Sequence, residues 1–489
     1  STSFLKAKSS LRTLDLFSTK KTILLQKNKL LIFLGKLSEQ EIKEFKISYM
    51  NKLYDKTSVP NRLLNYLIKY HPNFSSDKLD AEKIHKSVFK NDTYNRNDVI
   101  NAFSDLRKEL KRFLIWNSKE DYPFEKDAIL LQLYEKYNLK THFDLQLKSM
   151  NKKVDKENEN IWKWFKKMKI AHEYYFDPKK EQINLSEASL LEAMENLDKF
   201  YAISKLKYTC ELYNRNQVLQ NKIPEIKLLK ELVNESNDEY SVLHQCFFLS
   251  YQLLKNRDEN TYSDLKNIVT KNIKNFSREN QHIFLTFLIN HHSYRMKNGL
   301  LLSRPDFFEL YQFGVTYEIF IVDGVFDVSH FNNIVGLACT LKELKWLKEF
   351  IKTWSPKLNE DIREQTELMS QVSMLFAGGE FEKIIELTRT IDFKGVNNKL
   401  RFRCVQIASS YELDNYSSQD VIDLCTACEN FARKNNEIGE YMKIGLLNFT
   451  KFVKKLSAFS PQKEKIKAVL QKGEFIYFED WLREKVSEL

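Results

Sequence analysis

Apolar residues along most of this chain recur every three or four positions, the period of an α-helix that buries one face. From Ile161 to Tyr175 the pattern sets Ile161, Trp164, Phe165, Met168, His172 and Tyr175 on one face and Lys163, Lys166 and Lys167 on the other, which predicts an apolar inner side. Similar runs occupy 190–213, 241–254, 280–290 and 427–455 and are read as helical hairpins. Ser38 followed three residues later by Glu41 has the form of a capping box and opens a helix through Ile42 and Phe45. Further helices are predicted over 61–70, 81–89 and 97–116, the last with Val99, Ile100, Phe103, Leu106, Leu110, Phe113 and Leu114 as its apolar stripe. The stretch Ile319 to Val328 departs from this period, with β-rich residues around Asp323-Gly324. A helix ending near Val322 and a loop are expected there, a small hairpin being the alternative.

Toward the C-terminus a longer period emerges. Trp346, Phe381 and Tyr416 lie 35 residues apart. Five residues before each stand Leu341, Phe376 and Tyr411; eight before, Ala338, Ser373 and Ala408; nine before, Leu337, Val372 and Ile407; twelve before, Ile334, Met369 and Cys404. These columns place an apolar seam and a small residue on a first helix and an aromatic near the start of a second. The middle copy adds Gly378-Gly379, which can turn the chain at the end of its first helix.

In these residues the chain resembles the tetratricopeptide-repeat (TPR) superfamily over roughly 330–435, although the outer copies lack the glycine and the small residue expected on the second helix. The resemblance implies stacked helix pairs that hold peptides or other proteins, and no activity. The expected fold is all-α, a divergent TPR-like helical-hairpin solenoid with a small N-terminal helical module. Its parts are a basic amphipathic arm at 1–37, the module at 38–116, degenerate hairpins at 117–329, the repeats at 330–435 and capping helices at 436–489.

Composition supports that class. Eleven glycines occur in 489 residues and none lies between Gly35 and Gly299, which excludes glycine-rich phosphate loops from that span and disfavours a β-sandwich or barrel. Abundant Lys, Asn, Ile, Phe and Tyr point to an AT-rich genome, most simply a bacterial one. Six scattered cysteines do not form a disulfide framework, and Cys425-Thr-Ala-Cys428 sits in a helical pattern without a second pair, so buried core cysteines are expected rather than a zinc or redox site. Catalytic residues, cofactor and metal are expected to be absent, because the chain has no nucleophile elbow, phosphate loop, dinucleotide fingerprint or zincin pair.

Charge changes the picture at the N-terminus. The net charge is +11, yet residues 1–37 carry Lys6, Lys8, Arg12, Lys20, Lys21, Lys27, Lys29 and Lys36 against Asp15, so +7 of it lies there. Leu11, Leu14, Phe17, Ile23 to Leu25 and Leu30 to Leu34 interleave these cations. Such a segment docks on the body, meets an anionic membrane or nucleic acid, or serves as a transit sequence, docking being favoured. No secretory signal or transmembrane helix is expected, and the location expected is cytoplasmic.

The helices at 81–89 and 97–116 look similar to a helix-turn-helix with Arg107, Lys108, Lys111 and Arg112 on the second, but no wing follows. A non-catalytic protein–protein interaction scaffold is therefore the function expected, with a polypeptide in the groove of the first helices and Tyr208, Tyr213, Arg215 and Asn216 as guessed surface residues. The alternative is a nucleic-acid-associated regulator using the arm and the segment 81–116. The oligomeric state is left open.

Overall fold

A computed structural model describes residues 28–51, 58–74, 79–89, 93–118, 121–176, 187–219, 223–234, 241–297, 304–388, 390–391, 393–458 and 476–488. The fold is all-α, and the described residues divide into two units, 1–155 with 173–185 and 156–172 with 186–489.

The first unit begins with α1 (Lys29–Leu34), α2 (Glu39–Asn51), α3 (Val59–Leu67), α4 (Ala81–Phe89) and α5 (Arg96–Asn117). The capping box at Ser38 is formed: its Oγ donates to Glu41 Oε2 at 2.8 Å and accepts from the Glu41 N–H at 3.2 Å. α5 is the central element, packing against α1, α2, α3 and α4. Its stripe of Val99, Phe103, Leu106, Leu110 and Phe113 closes one core, to which α1 contributes Leu30, Leu31 and Leu34. This end of the N-terminal segment is thus held by its apolar residues. A second hairpin joins α6 (Pro123–Lys136) to α7 (Lys140–Asp155), turning at Asn138 with φ of 60°. Buried Asp127 accepts from Lys153 Nζ at 2.7 Å across this pair.

The second unit contains α8 (Ile161–Tyr175, its last turn reaching the first unit's residues), α9 (Ala188–Leu219), α10 (Leu229–Asn234), α11 (Val242–Asn256), α12 (Glu259–Asn272), α13 (Arg278–Lys297) and α14 (Arg304–Thr316). After the two-stranded hairpin β1 (Ile321–Val322) and β2 (Val325–Phe326) follow α15 (Val328–Thr340), α16 (Leu344–Trp354), α17 (Glu360–Ala377), α18 (Phe381–Leu387), α19 (Val396–Tyr411), α20 (Ser418–Lys434), α21 (Glu440–Leu456) and α22 (Glu479–Glu488). Sequence neighbours pack in pairs from α11 to α21, and alternate helices pack as well, α9 with α11, α11 with α13, α15 with α17 and α17 with α19. One continuous core runs from Ile161 to Leu358, and two smaller ones serve α17–α22.

Two sequence expectations are corrected here. The hairpin at 321–326 replaces the helix expected to reach Val322, because Asp323 and Gly324 both take positive φ, 50° and 80°, the two-residue turn that matches strand twist. Phe320 and Phe326 beside it are buried. The inner face of α8 also differs: Ile161, Lys163, Ile170 and Ala171 are buried while Trp162 is 53% exposed. Lys163 tolerates burial because its ammonium donates to the Glu157 carbonyl at 2.9 Å and to Glu159 Oε1 at 3.3 Å. The run 427–455, read as a hairpin, is the end of α20 and most of α21 joined at 435–439.

One glycine is required by a close approach. A Cβ at Gly314 in α14 would lie 2.4 Å from the Phe320 ring and 2.7 Å from Leu285 Cδ2, so only hydrogen fits beneath the hairpin.

Candidate interaction surfaces

The columns of the 35-residue period fall on α15, α17 and α19. Ile334, Met369 and Cys404 are buried, as are Leu337, Val372 and Ile407. Ala338 and Ala408 are fully buried, and half-buried Ser373 donates its Oγ to the Met369 carbonyl at 2.9 Å. The aromatic column drifts along its helices: Trp346 is the third residue of α16, Phe381 opens α18, and Tyr416 precedes Ser417, the N-cap of α20. Trp346 stacks on Phe350 with ring centres 5.3 Å apart, and Phe381 meets Phe376 edge-on at 5.5 Å. Ala338, Ala408, Trp346, Phe381 and Tyr416 are packing positions, while Ser373 bonds within its own helix.

The turns after α15 and α17 share a device that their residue types conceal. Gly379 has φ of 74° and the Glu380 N–H reaches the Leu375 carbonyl at 2.9 Å. After α15 the same bond runs from Glu343 to Ala338 at 2.9 Å, with Lys342 at φ of 58° in place of a glycine.

The sides of α15, α17 and α19 turned away from these columns form a polar row. Gly336 and Gln371 are exposed and Gln406 is half-buried; Ser329 and Glu364 are exposed and Lys399 half-buried. A side chain at Gly336 would meet nothing within 4 Å.

The residues guessed on α9 divide. Tyr208 is 58% exposed and Arg215 is exposed with it, whereas Tyr213 packs edge-on against Tyr251 at 5.6 Å. Asn216 is half-buried.

Of the cationic candidates, Lys6, Lys8, Arg12, Lys20, Lys21 and Lys27 lie outside the described residues, and Lys29 is exposed on α1. On α5, Arg107 is half-buried and Lys108, Lys111 and Arg112 are exposed. Lys108 pairs with Asp105 at 2.9 Å and Arg112 with Glu109, so half of this basic face is matched on its own helix.

Several titratable groups inside the second unit are buried and packed on neighbouring rings. Tyr262 Oη and His292 Nε2 are 2.6 Å apart, the Tyr262 ring stacks on His291 at 5.0 Å, and His292 stacks on Phe307 at 5.2 Å. Burial, followed by the nearby Arg257 and Arg295, depresses His291 to about 4; burial and His291 depress His292 to about 3. Cys404, Cys425 and Cys428 are buried between α19 and α20, and burial pushes the Cys425 thiol up to about 12. A pocket of about 400 Å³ before α8 is lined by Lys156, Glu157, Glu159, Lys163 and Trp164, but Lys166 grips both Glu157 oxygens at 2.8 and 2.9 Å and Lys163 holds Glu159. Among the described residues no group of three or more His, Cys, Asp or Glu is arranged to hold a metal ion. Nor is any helix among them long and apolar enough to cross a membrane.

No family model, curated protein or solved structure matches this chain.

Proposed function

We propose that the protein is a non-catalytic interaction scaffold whose TPR-like helix pairs hold another polypeptide along the first-helix row. The observation that carries this reading is the packing of α15 on α17 and of α17 on α19, each with its second helix alongside. That arrangement is how stacked repeats build a solenoid: small side chains at Ala338 and Ala408 let neighbouring helices approach, and the opposite side exposes Gly336 and Gln371. The polar row of Gly336, Gln371 and Gln406 suits an extended peptide, whose backbone amides and carbonyls need partners that side-chain amides supply. The nucleic-acid alternative is less supported by α5, where acidic neighbours pair with Lys108 and Arg112.

The test is affinity capture with the full chain from nuclease-treated lysate, against the variant Gly336→Arg/Gln371→Arg. Both positions are exposed, so folding should be unchanged while the polypeptide recovered drops at least roughly tenfold. Recovery that is insensitive to the substitutions, or that disappears with nuclease, contradicts the proposal. If the N-terminal arm is removed as a control, the cut belongs at residue 27, because Leu30, Leu31 and Leu34 are core residues.

A further inference from the structure

α9 is apolar on two sides. Ala202, Ile203, Leu206 and Cys210 are buried and the helix packs on α11. Its outer side nevertheless carries Leu191, Met194, Leu197, Tyr201, Tyr208 and Leu212, between 39% and 58% exposed. An apolar stripe of this length on water marks a contact surface.

The stripe has a register. Every seventh residue, Glu187, Met194, Tyr201, Tyr208 and Arg215, is exposed, the spacing that keeps one seam facing a partner helix through two turns at a time. The order is self-complementary when reversed about Tyr201. Met194 and Tyr208 are seven residues from it on either side, and Glu187 and Arg215 fourteen. Asp198 and Lys205, three before and four after, repeat the same acid-then-base polarity.

From this we propose that α9 is the two-fold contact of a homodimer, paired antiparallel with α9 of a second copy. Tyr201 then meets its own symmetry mate, Met194 packs on Tyr208 of the other chain, and Glu187 pairs with Arg215 of the other chain at both ends. An isologous contact requires such reversal, since every pairing must occur twice. The seam runs from Glu187 to Arg215, 28 steps of the chain and about 42 Å at the rise of an α-helix. Parallel pairing is disfavoured because it would set Glu187 on Glu187 and Arg215 on Arg215. This surface lies on a different helix from the polar row, so its failure leaves the scaffold reading standing.

Sedimentation equilibrium of the full chain tests the pairing. The expected result is a mass of twice 58.2 kDa at micromolar concentration, with Tyr201→Glu monomeric because two carboxylates would meet on the axis. Glu187→Arg and Arg215→Glu should each weaken the dimer at least roughly tenfold, and the double substitution should return it to within about threefold of wild type. Circular dichroism confirms that each variant is folded. A monomeric wild type, a dimer indifferent to Tyr201→Glu, or a double variant no better than the singles overturns the proposal.

Discussion

α9 and α11 lie against each other, and both are apolar around most of their circumference, yet they end in opposite environments. α11 is surrounded by α9, α12 and α13 and buries Leu243, Cys246, Phe247, Tyr251, Leu253 and Leu254. α9 has α11 on one side, Phe200 against Phe165 of α8 at 5.4 Å, and an open face of Leu191, Met194, Tyr201 and Tyr208. The difference teaches that apolar sequence does not itself make a core: the number of helices the chain folds around an element decides. A contiguous apolar stripe left on the outside of a helix is a candidate contact for another polypeptide.

The comparison breaks first at Phe247, fully buried in α11 and 4.7 Å from the Phe284 ring. Phe247→Ala should lower the unfolding free energy by about 3–5 kcal/mol, read from denaturant midpoints at constant m-value. A loss below about 1 kcal/mol would mean that α11 is not a core helix.

Acid should separate the two helices next. His291 and His292 on α13, packed on Tyr262 of α12 and Phe307 of α14, have folded pKa values depressed to about 4 and about 3 by burial. The unfolded chain takes up these protons near pH 6.5, so their contribution is fully present above that pH and is lost as pH falls from about 6.5 toward 4. Each neutral histidine adds up to about 1.4 kcal/mol per pH unit of slope in that window. Urea midpoints measured from pH 7 to 4.5 should fall, and His291→Phe should flatten the fall; equal slopes in wild type and variant would contradict the burial.

A smaller effect is expected at Gly314, where a methyl group has to displace Phe320 and Leu285. Gly314→Ala should cost about 1–3 kcal/mol by overpacking, visible as a lower melting temperature. The smallest effect belongs to α9: Tyr208→Ser should change the stability of the chain by less than about 0.5 kcal/mol while weakening self-association. A large destabilisation at Tyr208 would show that the outer face is covered within the chain.

Much of the fold was legible in the residues. The helices at 81–89 and around 97–116 follow their apolar period, and the capping box at Ser38 and Glu41 is the bond pattern its spacing implies. What escaped depended on geometry that residue type understates. The Asp323-Gly324 turn outweighs the helical period before it because both residues accept positive φ. Lys342 occupies a left-handed turn usually given to glycine. Lys163 looked like a solvated charge, although Glu159 four residues earlier was the available signal for a pair. The outer seam of α9 was present as apolar residues at intervals of seven, but a sequence that is apolar on two sides does not say which side its own chain will cover. The arm's cations from Lys6 to Lys27 lie outside the described residues, while of Trp346, Phe381 and Tyr416, spaced 35 residues apart, Trp346 and Tyr416 pack against buried residues of the core and Phe381 against half-buried Phe376.

In the function proposed above, this chain acts through helix faces left open to other polypeptides. Hydroxyl-radical footprinting of the full chain, purified with its bound partner and again after stripping it, measures those faces directly. Gln371 and its row on α15, α17 and α19 are expected to be protected in the complex, Met194, Tyr201 and Tyr208 to be protected whenever the chain is concentrated, and Phe247 to be silent throughout. Protection confined to Arg107, Lys108, Lys111 and Arg112 on α5, with the α9 face and the first-helix row equally reactive in every state, would contradict it.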